Sequence, residues 1–329
     1  MLLSRFFVML CVLPAFLHAG CATDTSTSTP DSAAAAVALT RHTFAQVHMG
    51  VKCRITLYAS QRERAAEAAA RAFERIASLD ASLSDWRLES ELNRLNDTAG
   101  GPALPVSEDL YRVLDLARRL SEATGGAFDP TVGPVVRLWR QARRDGQPPN
   151  PDDLALARQA VGWQGIELDP ETRSVRLVRA GMRLDLGGIG KGYVADRAGE
   201  VLREQGVSRF LIDLGGDLLA GDPPPGRQGW TIQIQTELGQ SGSLEAANAG
   251  VATSGDSAQF VEIDGVRYSH IVDPLTGLGL TDRIAATVVA PDAATADALA
   301  SAVCVLGEVE GRAIAERFPG VRVLVESAR

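Results

Sequence analysis

The sequence predicts an α+β fold, mixed sheets packed with helices and interrupted by long inserted loops. Short β-branched or alternating stretches lie between amphipathic runs at helical spacing. The two kinds follow one another without a regular period, and Gly- and Pro-rich segments separate them. A repeat protein or a barrel of equal units is thereby excluded.

In chain order, residues 46–58 (QVHMGVKCRITLY) alternate in part and carry Val, Ile and Thr, which predicts an opening strand or hairpin. Over 61–79, Ala65, Ala69, Phe73, Ile76 and Leu79 recur at helical spacing between Arg and Glu. Residues 85–96 (DWRLESELNRLN) run from a loop into a short amphipathic helix. A helix over 107–124 has Leu110, Leu114, Ala117 and Leu120 on one face, Ser107 as its cap and an acidic first turn; Gly125 and Gly126 stop it. Residues 141–153 (QARRDGQPPNPDD) read as a polar, Pro-rich loop. A short helix and a hairpin turning at 169–172 follow. The pattern then predicts a helix over 191–205, strands at 210–214, 230–235, 259–263 and 285–289, an Ala-rich helix over 293–306 and a last strand at 321–325.

The N-terminus reads differently. Arg5 precedes the apolar run 6–17 (FFVMLCVLPAFL), which has the length of a signal-peptide core and falls short of a membrane span. Ala19 and Gly20 then stand before Cys21, as at a bacterial lipoprotein processing site. The expectation is a signal peptide over 1–20, a lipidated Cys21 opening a flexible tether over 21–40, and one folded domain over 41–329 on the periplasmic side of the membrane. Cys53 and Cys304 would remain as buried thiols, without metal-ligand spacing.

Composition narrows function. The 329 residues carry a formal net charge of −8, which excludes a basic nucleic-acid footprint. Four cysteines exclude a disulfide scaffold.

Several segments can carry chemistry. LDLGGIGKG at 184–192 is neither a Walker loop nor GxGxxG; its glycines before Lys191 and a helix make either an anion site or a tight turn with a surface lysine. IDLGGDLLAG at 212–221 suggests close backbone approach to a ligand, or a structural turn. In GGAFDPTVGP at 125–134, Asp129 either receives donors from a polar ring or caps a turn. Ser254 in ATSGD does not fit GxSxG, and no Ser–His–Asp order is specified. His270, within YSHIVDPLTG, can serve as a base, hold phosphate or simply bond its loop. Asp297 and Ser301, four apart on a helix, would share a face and offer oxygen ligands suited to Mg²⁺, or act as a cap and a packed serine.

Taken together, these segments resemble the ApbE-type flavin transferases, the FAD:protein FMN transferases. The matching pieces are HMG at 48–50, LSDWRLESELNRLN at 83–96, TGGAFDPTVGPVVRLW at 124–139, RLDLGGIGKGYVAD at 183–196, FLIDLGGDLLAG at 210–221, VATSGDSAQF at 251–260, YSHIVDPLTG at 268–277 and VVAPDAATADALASAVCVLG at 288–307. They occur in the family's order. The resemblance implies Mg²⁺-dependent transfer of FMN from FAD to a Thr or Ser hydroxyl of an exported acceptor protein, with release of AMP. It implies FAD contacts at Met49, Trp86, Ala127, Phe128, Asp129, Asp185, Lys191, His270 and Ile271. It implies metal ligands at the Gly188 carbonyl, Asp297 and Ser301, and catalytic roles for Lys191, His270 and Asp297. Trp86 stands where the family commonly has tyrosine, Ser301 where threonine is usual, and Gly190 where alanine is frequent. Ser301 keeps the oxygen and loses a methyl, which predicts looser positioning. The rival expectations are a Mg²⁺-dependent FAD pyrophosphatase and a non-catalytic FAD-binding lipoprotein.

Overall fold

A computed structural model of the chain describes residues 38–235, 241–255 and 259–327. The expected leader, Cys21 and nearly all of the expected tether lie outside the described residues.

The first described elements form a hairpin. β1 (Thr40–His48) and β2 (Val51–Ala59) pair antiparallel with His48 opposite Val51. The two turn residues, Met49 and Gly50, have φ of 51° and 72°. Two consecutive positive φ values make a turn whose twist matches the strands. α1 (Arg62–Leu83) buries Ala65, Ala69, Phe73, Ile76 and Leu79, the stripe its spacing predicts. α2 (Glu91–Asp97) starts on Ser90, whose side chain accepts from the Asn93 amide. After the short β3 (Leu104–Pro105), α3 (Glu108–Ala123) starts on Ser107, which accepts from the Leu110 amide. Gly125 and Gly126, with φ of 64° and 87°, end the helical region.

The expected loop over 141–153 is corrected. α4 (Gly133–Asp145) and α5 (Pro151–Gln159) occupy most of it, leaving only 146–150 between them. The polar stretch is two helix ends. Gly146 closes α4 in the left-handed region at φ 67°, its amide bonded to Ala142 O, and Asn150 caps α5 ahead of Pro151, which the first helical position tolerates. Val135, Trp139 and Ala142 form the buried face of α4, so its arginines lie on the remaining faces.

β4 (Ile166–Asp169) and β5 (Ser174–Leu177) form the expected hairpin, with Asp169 accepting from the Glu171 amide at 2.9 Å. There follow α6 (Gly190–Glu204), β6 (Phe210–Leu214), β7 (Asp217–Ala220), β8 (Trp230–Gln235), β9 (Ser241–Ala246), β10 (Ala249–Gly255), β11 (Phe260–Ile263), β12 (Val266–Ser269), β13 (Ile284–Ala290), α7 (Ala293–Ala315) and β14 (Arg322–Ser327). α7 passes the expected stop, but Gly307 interrupts it with φ 79° and ψ 177°. Among the described residues no helix is long and apolar enough to cross a membrane.

Seven strands form one sheet in the order β1-β2-β6-β7-β10-β13-β14, every pair antiparallel. Strand alternation assigns its two faces. Phe210, Ile212, Leu214 and Leu219 join the main core with α1 and α6. Their neighbours Leu211, Leu218 and Ala220 pack on Trp230 and Ile232 of the β8–β9 hairpin. α7 lies over β10 and β13, with Leu299 and Ala300 against Ala252 and Val288.

α6 and α7 meet at their N-termini. A Cβ on Gly192 would fall 2.2 Å from Ala293 O and 2.7 Å from Ala294 Cα, so only glycine permits this approach. Cys53 and Cys304 are buried thiols, as expected. Substituting Gly192→Ala is expected to lower unfolding free energy by about 3 kcal/mol, since backbone on both sides must move. Urea denaturation checks this, and an unshifted midpoint contradicts it.

Candidate active site

The 184–192 segment is stiffened from within. Asp185 accepts from the Gly187 amide at 2.7 Å, and the Gly190 amide returns to Leu186 O at 2.7 Å. Ile189 is the N-cap of α6, and the helix delivers Lys191 and Gly192 in its first turn. Lys191 makes an ion pair with Asp217, a buried side chain at the start of β7. The Gly192 amide donates to Asp297 Oδ2 at 3.2 Å. An acid of α7 thus takes one of the α6 amides that the sequence leaves free for phosphate.

Asp297 is 3% exposed. Burial pushes its carboxyl above the usual carboxylate range, opposed by the Lys191 charge and the Gly192 hydrogen bond. One lysine therefore serves two buried carboxylates. Ser301, one turn further along α7, has its Oγ 3.2 Å from Ser254 Oγ on β10. A Cβ on Gly188 would lie 3.2 Å from Ser301 Oγ and 3.5 Å from Phe128 Cε2, so the bare glycine backbone faces that hydroxyl. Gly188, Phe128, Ser301, Asp297 and Lys191 are brought to one place. Among the described residues no three His, Cys, Asp or Glu side chains form a metal cluster. The donors that do converge are a carboxylate, a hydroxyl and backbone, a hard-oxygen set with an excess of buried negative charge that fits Mg²⁺.

The N-terminus of α7 is fully occupied. Asp292 accepts from the Thr295 amide at 2.7 Å. Asp196, from α6, accepts from the Ala293 and Ala294 amides at 2.8 and 2.9 Å. These bonds satisfy donors that a helix start leaves unpaired. Burial outweighs them and pushes the Asp196 carboxyl up to about 7.

A second corner forms around Arg140 of α4. Its guanidinium pairs with Asp185 at 2.8 Å and with Asp85, and its Cζ sits 4.3 Å from the centre of the Trp86 ring. Trp86 is 70% exposed and presents a flat face at this corner. Burial raises the Asp185 carboxyl, and Arg140 opposes the shift. Two asparagines fix the corner's backbone. Asn93 donates to Asp85 O and Arg87 O at 2.9 and 2.8 Å. Asn96 accepts from the Leu184 amide at 2.7 Å and donates to Leu184 O at 3.2 Å.

The remaining expected residues are placed as follows. Met49 sits in the β1–β2 turn with its Cε 3.7 Å from where a Cβ of Gly190 would be. Ala127 is half-buried against the main core. Asp129 is buried, and its carboxylate accepts from the Thr131 amide and hydroxyl at 2.8 and 2.6 Å and from the Trp163 amide at 3.0 Å. It closes its own turn, the structural option its sequence context offered. His270 follows β12 on a separate hairpin, exposed, with Nδ1 3.1 Å from Gln259 O. A carbonyl only accepts, so Nδ1 carries the proton in this contact. Ile271 packs beside Val303 and Cys304 of α7.

The family model described as the ApbE family matches residues 49–325. The chain belongs to the ApbE family. An FAD:protein FMN transferase of Treponema pallidum (strain Nichols) is 34% identical over 299 residues, covering 85% of this chain and 83% of that protein. One of Salmonella typhimurium is 30% identical over 319 residues, covering 93% and 88%. Among solved structures, flavin transferase ApbE from Vibrio cholerae superposes with TM-score 0.79 at 29% identity over 88% of this chain and 94% of that one. The apo flavinyl transferase ApbE of Pseudomonas stutzeri gives 0.77 at 27% identity, over 88% and 95%. The mixed α/β architecture of this ApbE chain is that of its solved relatives.

Sequence reasoning did not single out Arg140, Asp217, Asn93, Asn96 or Asp196. Asp217 and Asp196 each lay within a quoted motif, and their burial was the missing signal. Asp196 generates a pH-dependent expectation. A carboxyl raised from 3.8 to about 7 binds protons more readily in the folded state, so its contribution to stability declines as pH rises through that window. Asp196→Asn removes the titration. The stability of wild type minus that of the variant is expected to shrink by about 2–3 kcal/mol between pH 5 and pH 8. Thermal or urea melts at both pH values decide it; a constant difference contradicts it.

Proposed function

We propose that this ApbE-family chain transfers flavin from FAD to a protein, as its relatives are named for doing: an FAD:protein FMN transferase. The acceptor is a Thr or Ser hydroxyl of an exported protein. The observation that carries the reading is the junction where Lys191 meets buried Asp217 and Asp297, while Ser301, one turn from Asp297, faces the glycine backbone at 188. A site for binding alone has no need of two buried carboxylates against one lysine.

The acceptor oxygen attacks the FMN-side phosphorus, a new P–O bond forms, the P–O bond to the AMP portion breaks, and AMP leaves. Lys191 and the glycine-segment amides stabilise charge on the transferring oxygens. His270 takes up the hydroxyl proton. Met49 and Phe128 line the flavin side, the loop of His270 and Ile271 lies close to FAD, and Trp86 and Asp185 hold the far end of the dinucleotide. Asp297, Ser301 and the Gly188 carbonyl would hold Mg²⁺, which when bound neutralises pyrophosphate charge.

Incubation with FAD, Mg²⁺ and an exported candidate acceptor is expected to add the mass of FMN to the acceptor and release AMP. FMN and AMP without an adduct would instead mark a pyrophosphatase, and intact bound FAD a carrier. Asp297→Ala is expected to reduce Mg²⁺-dependent turnover by at least about 100-fold; undiminished turnover removes its metal role. We also propose that the mature protein begins at a lipidated Cys21 on the periplasmic side of the membrane. Palmitate label is expected in wild type and absent from Cys21→Ser, and equal labelling refutes the anchor.

A further inference from the structure

The charge of this chain is negative overall, −8, yet α4 carries four arginines and a single acidic residue, Asp145. Arg140 is committed to Asp85 and Asp185, and Arg143 donates to Gln259 Oε1 at 2.7 Å. Arg137 and Arg144 make no ion pair or side-chain hydrogen bond among the described residues. With Gln141 they lie along one face of α4, opposite buried Trp139 and Ala142. That face and the 181–183 segment enclose a groove of about 320 Å³, with Leu138 and Gly181 in its walls and Arg183 on the far side. No Asp or Glu lines it. The carboxylates nearest in charge to Arg183 include Asp85 and Asp185, both already paired with Arg140, and Asp97. Burial first, and the neighbouring Arg137 after it, push the Arg183 guanidinium below its usual range, while those three carboxylates oppose the shift.

Like charges held side by side with no carboxylate in the groove wall repel one another, and an anion entering the groove relieves that repulsion. Planar guanidinium groups pair bidentately with carboxylates. Arg137, Gln141, Arg144 and Gly181 are exposed, so the groove is an open channel. Small-molecule sites engulf most of their ligand, whereas an open channel suits a length of polypeptide. The groove is built on elements that also carry site residues. Arg183 is two residues from Asp185, and α4 itself sends Arg140 to Asp185.

We propose that this groove docks an acidic segment of the protein that presents the acceptor hydroxyl, with Arg137, Arg144 and Arg183 pairing its carboxylates. The identity of that protein as acceptor rests on the flavin-transfer reading; the preference for an acidic chain does not. The direct test is fluorescence anisotropy of the full-length protein with a labelled decapeptide of alternating Glu and Gly around one Thr. Wild type is expected to bind it with an affinity that falls as salt rises. Arg137→Glu/Arg144→Glu is expected to weaken binding at least about tenfold, and the milder Arg137→Gln/Arg144→Gln pair serves if charge reversal unfolds the chain. With an acceptor in hand, KM for the acceptor is expected to rise about tenfold while FAD cleavage to FMN and AMP with water as acceptor is unchanged. Equal peptide affinity in wild type and variants, no binding by wild type, or tighter binding of a labelled ten-nucleotide single strand than of the peptide would each overturn the proposal. Absence of both transfer and cleavage would instead refute the flavin-transfer reading, and the anisotropy result would still decide the groove.

Discussion

The close contact between the first turns of α6 and α7 is the constraint on which the rest of the site depends. Gly192 lets the backbones approach, Asp196 binds the opening amides of α7, and Asp297 accepts in return from the Gly192 amide. Each helix start therefore supplies what the other lacks. Lys191 and Asp297 come from positions more than a hundred residues apart, and their separation is set by backbone contacts. The Asp196 and Asp297 carboxylates hold that spacing from either side. A site assembled on two helix termini locked in this way is preorganised, which is where electrostatic catalysis gains most.

Charge is handled locally throughout the fold. Asp129 is satisfied by its own turn, Asp196 by amides, Asp185 by Arg140 and Gly187, and Asp217 by Lys191. Asp297 shares Lys191 and has a single amide donor. Its ionised form therefore gains from a further positive charge. The α4 groove is the reverse case, cations without carboxylates. A chain of net negative charge thus carries local imbalances of both signs.

Legibility in the sequence followed the range of the interactions involved. The helices at 62–83, 108–123 and 190–204 were readable because apolar spacing and caps are local, and β6 and β8 matched the expected bounds. The 141–153 segment misled because helix ends and loops share Pro, Gly, Asn and Asp; only the buried Trp139 and Ala142 show that α4 continues. β10 went unread because Gly250, Val251 and Ala252 are buried in succession, so it lacks alternation, and its small residues register weakly as apolar. At the site, the glycine segment and the Asp297–Ser301 pair were visible as motifs. Their partners Asp217 and Arg140 were not, since nothing in a lone Asp or Arg tells which distant charge it meets.

Ser301 shows how a local departure can be offset across the fold. A serine in place of threonine loses the methyl that restricts its rotamer, and a freer hydroxyl is a poorer ligand or donor. Here Ser254 on β10 stands 3.2 Å from the Ser301 oxygen, and Cys304, one turn along α7, donates to Ser254 O at 3.4 Å. The strand thus meets α7 at two successive turns through one residue. The small residues of β10 allow this: a Cβ on Gly250 would lie 2.3 Å from Ala293 Cα, so the strand runs directly beneath the start of α7. Restraint that a methyl would give within one side chain is instead given by a hydrogen bond between elements. The position of the Ser301 hydroxyl is then tied to the same strand–helix contact that seats Asp297.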